Sequence, residues 1–77
     1  MTKDEFLQAT QSERIRLDAF SLGTECSECY VLIHHLDQWN VYYAERGIEA
    51  GKRWFFSESA ALEPLLDQLR SDPSTRY

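Results

Sequence analysis

Glycine and proline are scarce, at three and two of 77 residues, which excludes a collagen-like or low-complexity chain. Cysteine occurs only twice, too seldom for a scaffold built from disulfides. No apolar run nears the roughly 18 residues that a membrane-spanning helix needs. The opening stretch MTKDEFLQAT lacks the apolar centre of a secretory leader. A cytoplasmic location is therefore expected, and with it reduced thiols at Cys26 and Cys29. Positive charge is also short, with 8 Lys and Arg against 13 Asp and Glu, giving a formal net charge of −5. Such a surface repels phosphate and anionic headgroups, so neither a nucleic acid nor a membrane is expected as partner. A basic protein is favoured instead, because opposite charge steers encounter.

What the chain does have is apolar and aromatic side chains, 43% and 13% of the residues. That is enough for the core of one small domain spanning residues 1–77. Thr2-x-x-Glu5 is a capping box, and it predicts a short helix over 3–12. Ile15, Leu17 and Ala19 alternate with Arg14, Arg16 and Asp18, a period of two that predicts a half-buried strand over 15–20. Ser21 to Cys29 reads as a loop. Tyr30 to His35 is a β-rich run, Leu36 to Gln38 a connection, and Trp39 to Ala44 a second run. In that run Trp39, Val41 and Tyr43 share one face while Asn40, Tyr42 and Ala44 share the other. Glu45 to Gly51 holds two glycines and reads as a turn, followed by a last strand over 52–56. Ser57 is a candidate N-cap, and Ala61, Leu62, Leu65, Leu66 and Leu69 form an apolar stripe at helical spacing. A helix is expected within 58–71, with Pro64 either bending it or delaying its start. Beyond Pro73 the last four residues are expected to fray. The order is α-β-β-β-β-α. The expected fold is α+β, a four-stranded antiparallel sheet with both helices on one face.

Few groups suggest chemistry. Cys26-Ser27-Glu28-Cys29 is a C-x-x-C motif, and with His34 and His35 it could be imagined as a zinc site. Structural zinc takes four ligands in paired spacing, and adjacent histidines on a strand point to opposite faces. A redox C-x-x-C belongs at a helix start after a strand, whereas this one lies in a loop. Catalysis by either histidine needs a partner at hydrogen-bond range, and no spacing supplies Asp37 or Glu45 in that role. The expectation is a protein that is not an enzyme and uses no cofactor or metal. The acids are spread along the chain, and Glu63, Asp67 and Arg70 fall opposite the leucine stripe. Glu45-Arg46-Gly47 is a charged hairpin tip. Tyr30, Tyr42 and Trp54 are placed on the sheet face that the helices leave open. Aromatics ringed by acids have the composition of a protein-binding hot spot.

The pattern formed by Trp39, Val41, Tyr42, Tyr43, Glu45, Arg46, Gly47, Gly51, Phe55, Ser57, Glu58 and Ala61, followed by the leucine helix, resembles small acidic bacterial proteins of the immunity type. The likeness covers roughly residues 15–70. It implies a protein that binds and neutralises a toxin domain encoded beside it, through direct contact and without catalysis. From the residues themselves, Asp37, Tyr42, Glu45, Arg46 and Glu49 are the expected contacts with a basic toxin domain. The alternative is a homodimeric structural or regulatory adaptor that pairs through an open strand such as 15–20.

Overall fold

The structure, a computed structural model, describes residues 1–77. Helix α1 (Lys3–Ser12) starts at the capping box. Thr2 Oγ1 accepts from the Glu5 N–H at 3.2 Å, and the Glu5 carboxylate accepts from the Thr2 N–H at 2.7 Å. Helix α2 (Glu58–Ser71) starts at Ser57, whose Oγ accepts from the Ala60 N–H at 3.1 Å. It runs through Pro64 without a break. Pro64 has no N–H for the Ala60 carbonyl, but Ala60 is exposed, so water can take that acceptor. At the other end, Thr75 Oγ1 donates to the Leu69 and Asp72 carbonyls, both at 2.8 Å, and closes the last turn.

Between the helices lie β1 (Phe20–Leu22), β2 (Cys29–His35), β3 (Gln38–Glu45) and β4 (Ile48–Phe55), in that order across one sheet. The fold is α+β with the expected element order. β2, β3 and β4 form an antiparallel meander, but β1 pairs with β2 in parallel, Phe20 against Tyr30 and Leu22 against Leu32. The sheet is thus mixed, not wholly antiparallel. The strand expected over 15–20 is also corrected. Leu17–Ala19 is a 3₁₀ turn, and Leu17 is 78% exposed. The backbone around Ile15 pairs with the C-terminal tail instead. Ile15 bridges Arg76, the Arg16 N–H reaches the Thr75 carbonyl at 2.7 Å, and the Tyr77 N–H reaches the Arg14 carbonyl at 3.0 Å. The tail is accordingly held rather than frayed.

A second turn is shorter than its glycines suggest. Arg46 and Gly47 alone turn the chain, both with positive φ (48° and 82°), the pairing of a type I′ hairpin. Gly51 lies inside β4, where the register with β3 shifts between Val41 and Tyr43, and its φ of 62° marks a bulge rather than a turn.

The main core comprises Phe6, Ile15, Ala19, Phe20, Leu32, Val41 and the five stripe residues of α2. Trp39, Phe55 and Tyr30 pack against it, and Tyr43 meets Tyr30 edge to face at 4.9 Å between ring centroids. The expected division of the Trp39–Ala44 run is therefore seen: Trp39, Val41 and Tyr43 face the helices. On the opposite face Cys29, Val31 and Tyr42 form a second, smaller cluster with Cys26, Ile33 and Ala44. Tyr30 is not on that face. Its hydroxyl donates to Asp72 at 3.2 Å, beside the end of α2.

Glu13 and Arg70 tie the ends of the two helices with bonds of 2.7, 2.8 and 3.0 Å. Arg70 holds the Glu13 carboxyl below its ordinary range, the Thr2 N–H does the same for Glu5, and the Ser74 hydroxyl and N–H do so for Asp72. All three carboxyls bind protons less readily in the folded chain than in the unfolded one. Their contribution is complete above the ordinary carboxylate range and is lost as pH falls through the lowered values. Thermal melts are therefore expected to be flat from neutrality to about pH 5 and to drop below about pH 4. Glu13→Gln should weaken that acid dependence and cost about 0.5–1 kcal/mol at neutral pH, since the pair is half exposed. Leu65→Ala should cost about 2–5 kcal/mol, read as a lower denaturant midpoint with unchanged slope.

Candidate functional site

The sheet separates the five expected contact residues. Asp37 lies in the turn between β2 and β3, at one end. Glu45 and Arg46 lie at the other end, about 23 Å away along β3 at strand rise. Glu49 stands opposite Ala44 on β4 and so joins Glu45 and Arg46 rather than Asp37. Tyr42 sits mid-strand and is only 4% exposed, so it supports the sheet and offers a partner almost no surface.

The segment Gly23–Glu28, here the cysteine loop, makes this end of the sheet. β1 runs parallel to β2, so the chain must return almost the full length of β1 before β2 can start. Parallel neighbours ordinarily need a crossover of a dozen residues or more. Here β1 is three residues long, and a six-residue return suffices. Gly23 (φ 93°) and Glu28 (φ 57°) take left-handed conformations at its two ends. Ser21 Oγ donates to the Thr24 carbonyl at 2.8 Å, and Cys26 is joined to Cys29 in a disulfide, with Cα atoms 6.3 Å apart. The expected free thiols are thus corrected: the tight return brings the two cysteines within the span a disulfide bridges.

Glu25, Cys26 and Ser27 form one wall of a shallow groove of about 300 Å³, with Tyr42, Ala44, Gly47 and Glu49 opposite. Lys52 Nζ donates to Glu49 Oε1 at 3.1 Å and lies 5.9 Å from the Tyr42 ring centroid. Burial, followed by the nearby Glu49 and Glu25 charges, pushes the Tyr42 hydroxyl up. Glu25, Glu28, Glu45 and Glu49 outnumber Arg46 and Lys52 here, and the exposed Ile48 side chain sits beside them. The end is acidic, with one apolar projection. Glu45, Arg46 and Glu49 are among the residues expected from the sequence, whereas Glu25, Glu28 and Ile48 are not. The cysteine motif was the available signal, since it marks the loop that carries the first two.

Other features are less suited to a ligand. A groove of about 610 Å³ lies between α2 and β4, lined in part by Arg53, Glu63, Asp67 and Asp72. Its acids are already engaged: Asp67 with Arg70 at 3.7 Å, Asp72 with Tyr30 and Ser74, and Glu63 with the Met1 amine at 4.0 Å. His34 stacks on Trp39 at 4.1 Å on the helix side, and His35 points the other way. Cys29 and His35 stand about 20 Å apart at opposite ends of β2 by strand rise, so the thiols and imidazoles do not converge. No three His, Cys, Asp or Glu side chains meet as a metal site. Trp54 does lie on the open face, opposite Asn40, and packs edge to face against the exposed Phe56 at 4.9 Å.

No family model, curated protein or solved structure matches the chain. No helix is long and apolar enough to cross a membrane.

The buried and exposed members of the expected set should separate by mutation. Tyr42→Ala should cost about 3–5 kcal/mol in chemical denaturation, as a large aromatic removed from a packed cluster. Glu45→Ala should stay within about 0.5 kcal/mol of the parent.

Proposed function

We propose that the chain is an immunity-type inhibitor that binds a basic toxin domain one to one and covers its active site or substrate groove. It acts by binding and performs no chemistry. The observation that carries this reading is the acidic end of the sheet. Glu25 and Glu49 line a groove that Tyr42 helps to form, and Glu28 in the cysteine loop and Glu45 at the β3–β4 hairpin add their charge to the same end of the sheet. Ile48, on β4 just past the hairpin turn, adds an apolar anchor of the kind that dominates binding energy when desolvated. The excess of acid would steer a basic domain toward that end. Asp37 lies at the far end of the sheet and is left out of the proposed contact; Tyr42 stays in it as support.

Calorimetric titration against the products of adjacent reading frames tests the reading. A one-to-one complex tighter than about micromolar is expected with one of them. Replacing Glu45 and Glu49 together by Lys should weaken it at least about tenfold, mainly through slower association, and should remove most of its salt dependence. Should every neighbouring product bind only weakly, or should the double charge reversal leave affinity untouched, the reading fails.

The open edge of β4 favours one other reading, the homodimeric adaptor. Six of the eight residues of β4 pair with β3, and none pairs on the other side. Edge-to-edge pairing of two copies would join two sheets, although the bulge at Gly51 and the charges of Lys52 and Arg53 work against it. A mass by ultracentrifugation that doubles with concentration would favour the adaptor, and a constant monomer mass would exclude it.

A further inference from the structure

We propose that the Cys26–Cys29 pair is a thiol–disulfide exchange site, attacked at Cys26 by uncharged or cationic low-molecular-weight thiols, and that exchange releases the cysteine loop from the open face of the sheet. The two sulfurs are not equivalent. Cys29 opens β2, is 1% exposed, and is packed among Val31 and Tyr42. Cys26 is half-buried, lies in the loop, and lines the groove. Exchange requires a thiolate to approach in line with the S–S bond. Cys26 is reached from the groove it lines, whereas Cys29 is closed in by the small cluster beneath the loop.

The chemistry closes as follows. A thiolate RS⁻ attacks Cys26 Sγ, an S–S bond forms between R and Cys26, and the bond to Cys29 breaks, leaving the electron pair on Cys29 Sγ, which takes up a proton. A second thiolate then attacks the sulfur of R, giving RSSR and the Cys26 thiol. In sum the protein disulfide gains two electrons and two protons while two RSH become RSSR. The surrounding charge selects the reagent. Glu25 and Glu28 lie on either side of Cys26 in the loop, and Glu49 stands across the groove. They repel a thiol that carries carboxylates and attract one that carries an amine.

The loop has little else to hold it. Its other bonds are made at the β1 side, from Ser21 to Thr24 and from the Gly23 N–H to the Leu32 carbonyl at 2.8 Å. Between Glu25 and Glu28 the disulfide is the tie. Opening it frees Cys26 to leave Val31 and Tyr42, while the main core, on the far side of the sheet, is untouched.

The oxidised protein, without any partner, is treated with cysteamine or with glutathione, quenched by alkylation, and mapped by peptide mass. The mixed disulfide is expected on Cys26 with the alkyl group on Cys29. Cysteamine should react several-fold faster than glutathione, and the gap should narrow with added salt. Treated with the corresponding disulfides, cystamine or glutathione disulfide, the free Cys26 thiol of Cys29→Ser should form a mixed disulfide with release of one thiol, whereas in Cys26→Ser the native Cys29 should stay unmodified. Amide hydrogen exchange should rise about tenfold or more over residues 24–31 on reduction, with the protected amides of α1 and α2 unchanged. An adduct on Cys29, equal rates for the two thiols, or unchanged exchange in the loop would each overturn the proposal. These readouts contain no toxin, so they stand or fall apart from the inhibitor reading.

Discussion

The stripe of Ala61, Leu62, Leu65, Leu66 and Leu69 on α2 is the contact on which the rest of the molecule depends. These five side chains repeat at helical spacing and supply nearly half of the eleven-residue main core. They give the sheet one dry face, and only one. Phe6 of α1 reaches the same core edge to face with Phe20, at 5.2 Å between centroids, so the second helix deepens that layer rather than covering the other side. Neither helix packs on the smaller cluster of the other face. The open face must be handled by loops, and that constraint explains the cysteine loop. It lies over Val31 and Tyr42 because no helix does.

The same economy appears where the chain ends meet. Residues 14–16 pair with residues 75–77, Thr75 closes α2, and Glu13 grips Arg70. Two segments too short to be strands in the sheet thus satisfy each other's backbone groups, which would otherwise be left unpaired against a dry core. Ile15 can then be buried although its neighbour Leu17 is not.

This arrangement also separates what could be read from the sequence from what could not. The two helices, their caps, and the division of Trp39, Val41 and Tyr43 from Asn40, Tyr42 and Ala44 follow from local periodicity, and local windows contain them. The strand assigned to 15–20 rested on three alternating apolar positions. The partner that overrides it is the tail some sixty residues on, which no local window includes. Gly51 looks like turn chemistry in the sequence, yet the turn needs only Arg46 and Gly47, and the second glycine serves a bulge. The C-x-x-C spacing alone does not pair the two cysteines; the tight return between β1 and β2 brings them together. Of the expected contact residues, Glu45, Arg46 and Glu49 are gathered at one end of the sheet, while Asp37 and Tyr42 required the register to be placed.

Fold and proposed recognition draw on different residues, and this has a consequence. The side chains that hold the molecule together lie under α2 or beneath the cysteine loop. Those that give the acidic end its charge, Glu25, Glu28, Glu45 and Glu49, make one ion pair among them within the molecule, Glu49 with Lys52. Exposed pairs of that kind contribute little to folding. The charge pattern can therefore change without unfolding the domain, while Tyr42, which helps to form the groove, cannot. The charge of the binding end proposed above is thus decoupled from the packing that carries it. This also explains why the sequence gives a clear account of the core and only a faint one of the binding end, since folding constrains the first and leaves the second open.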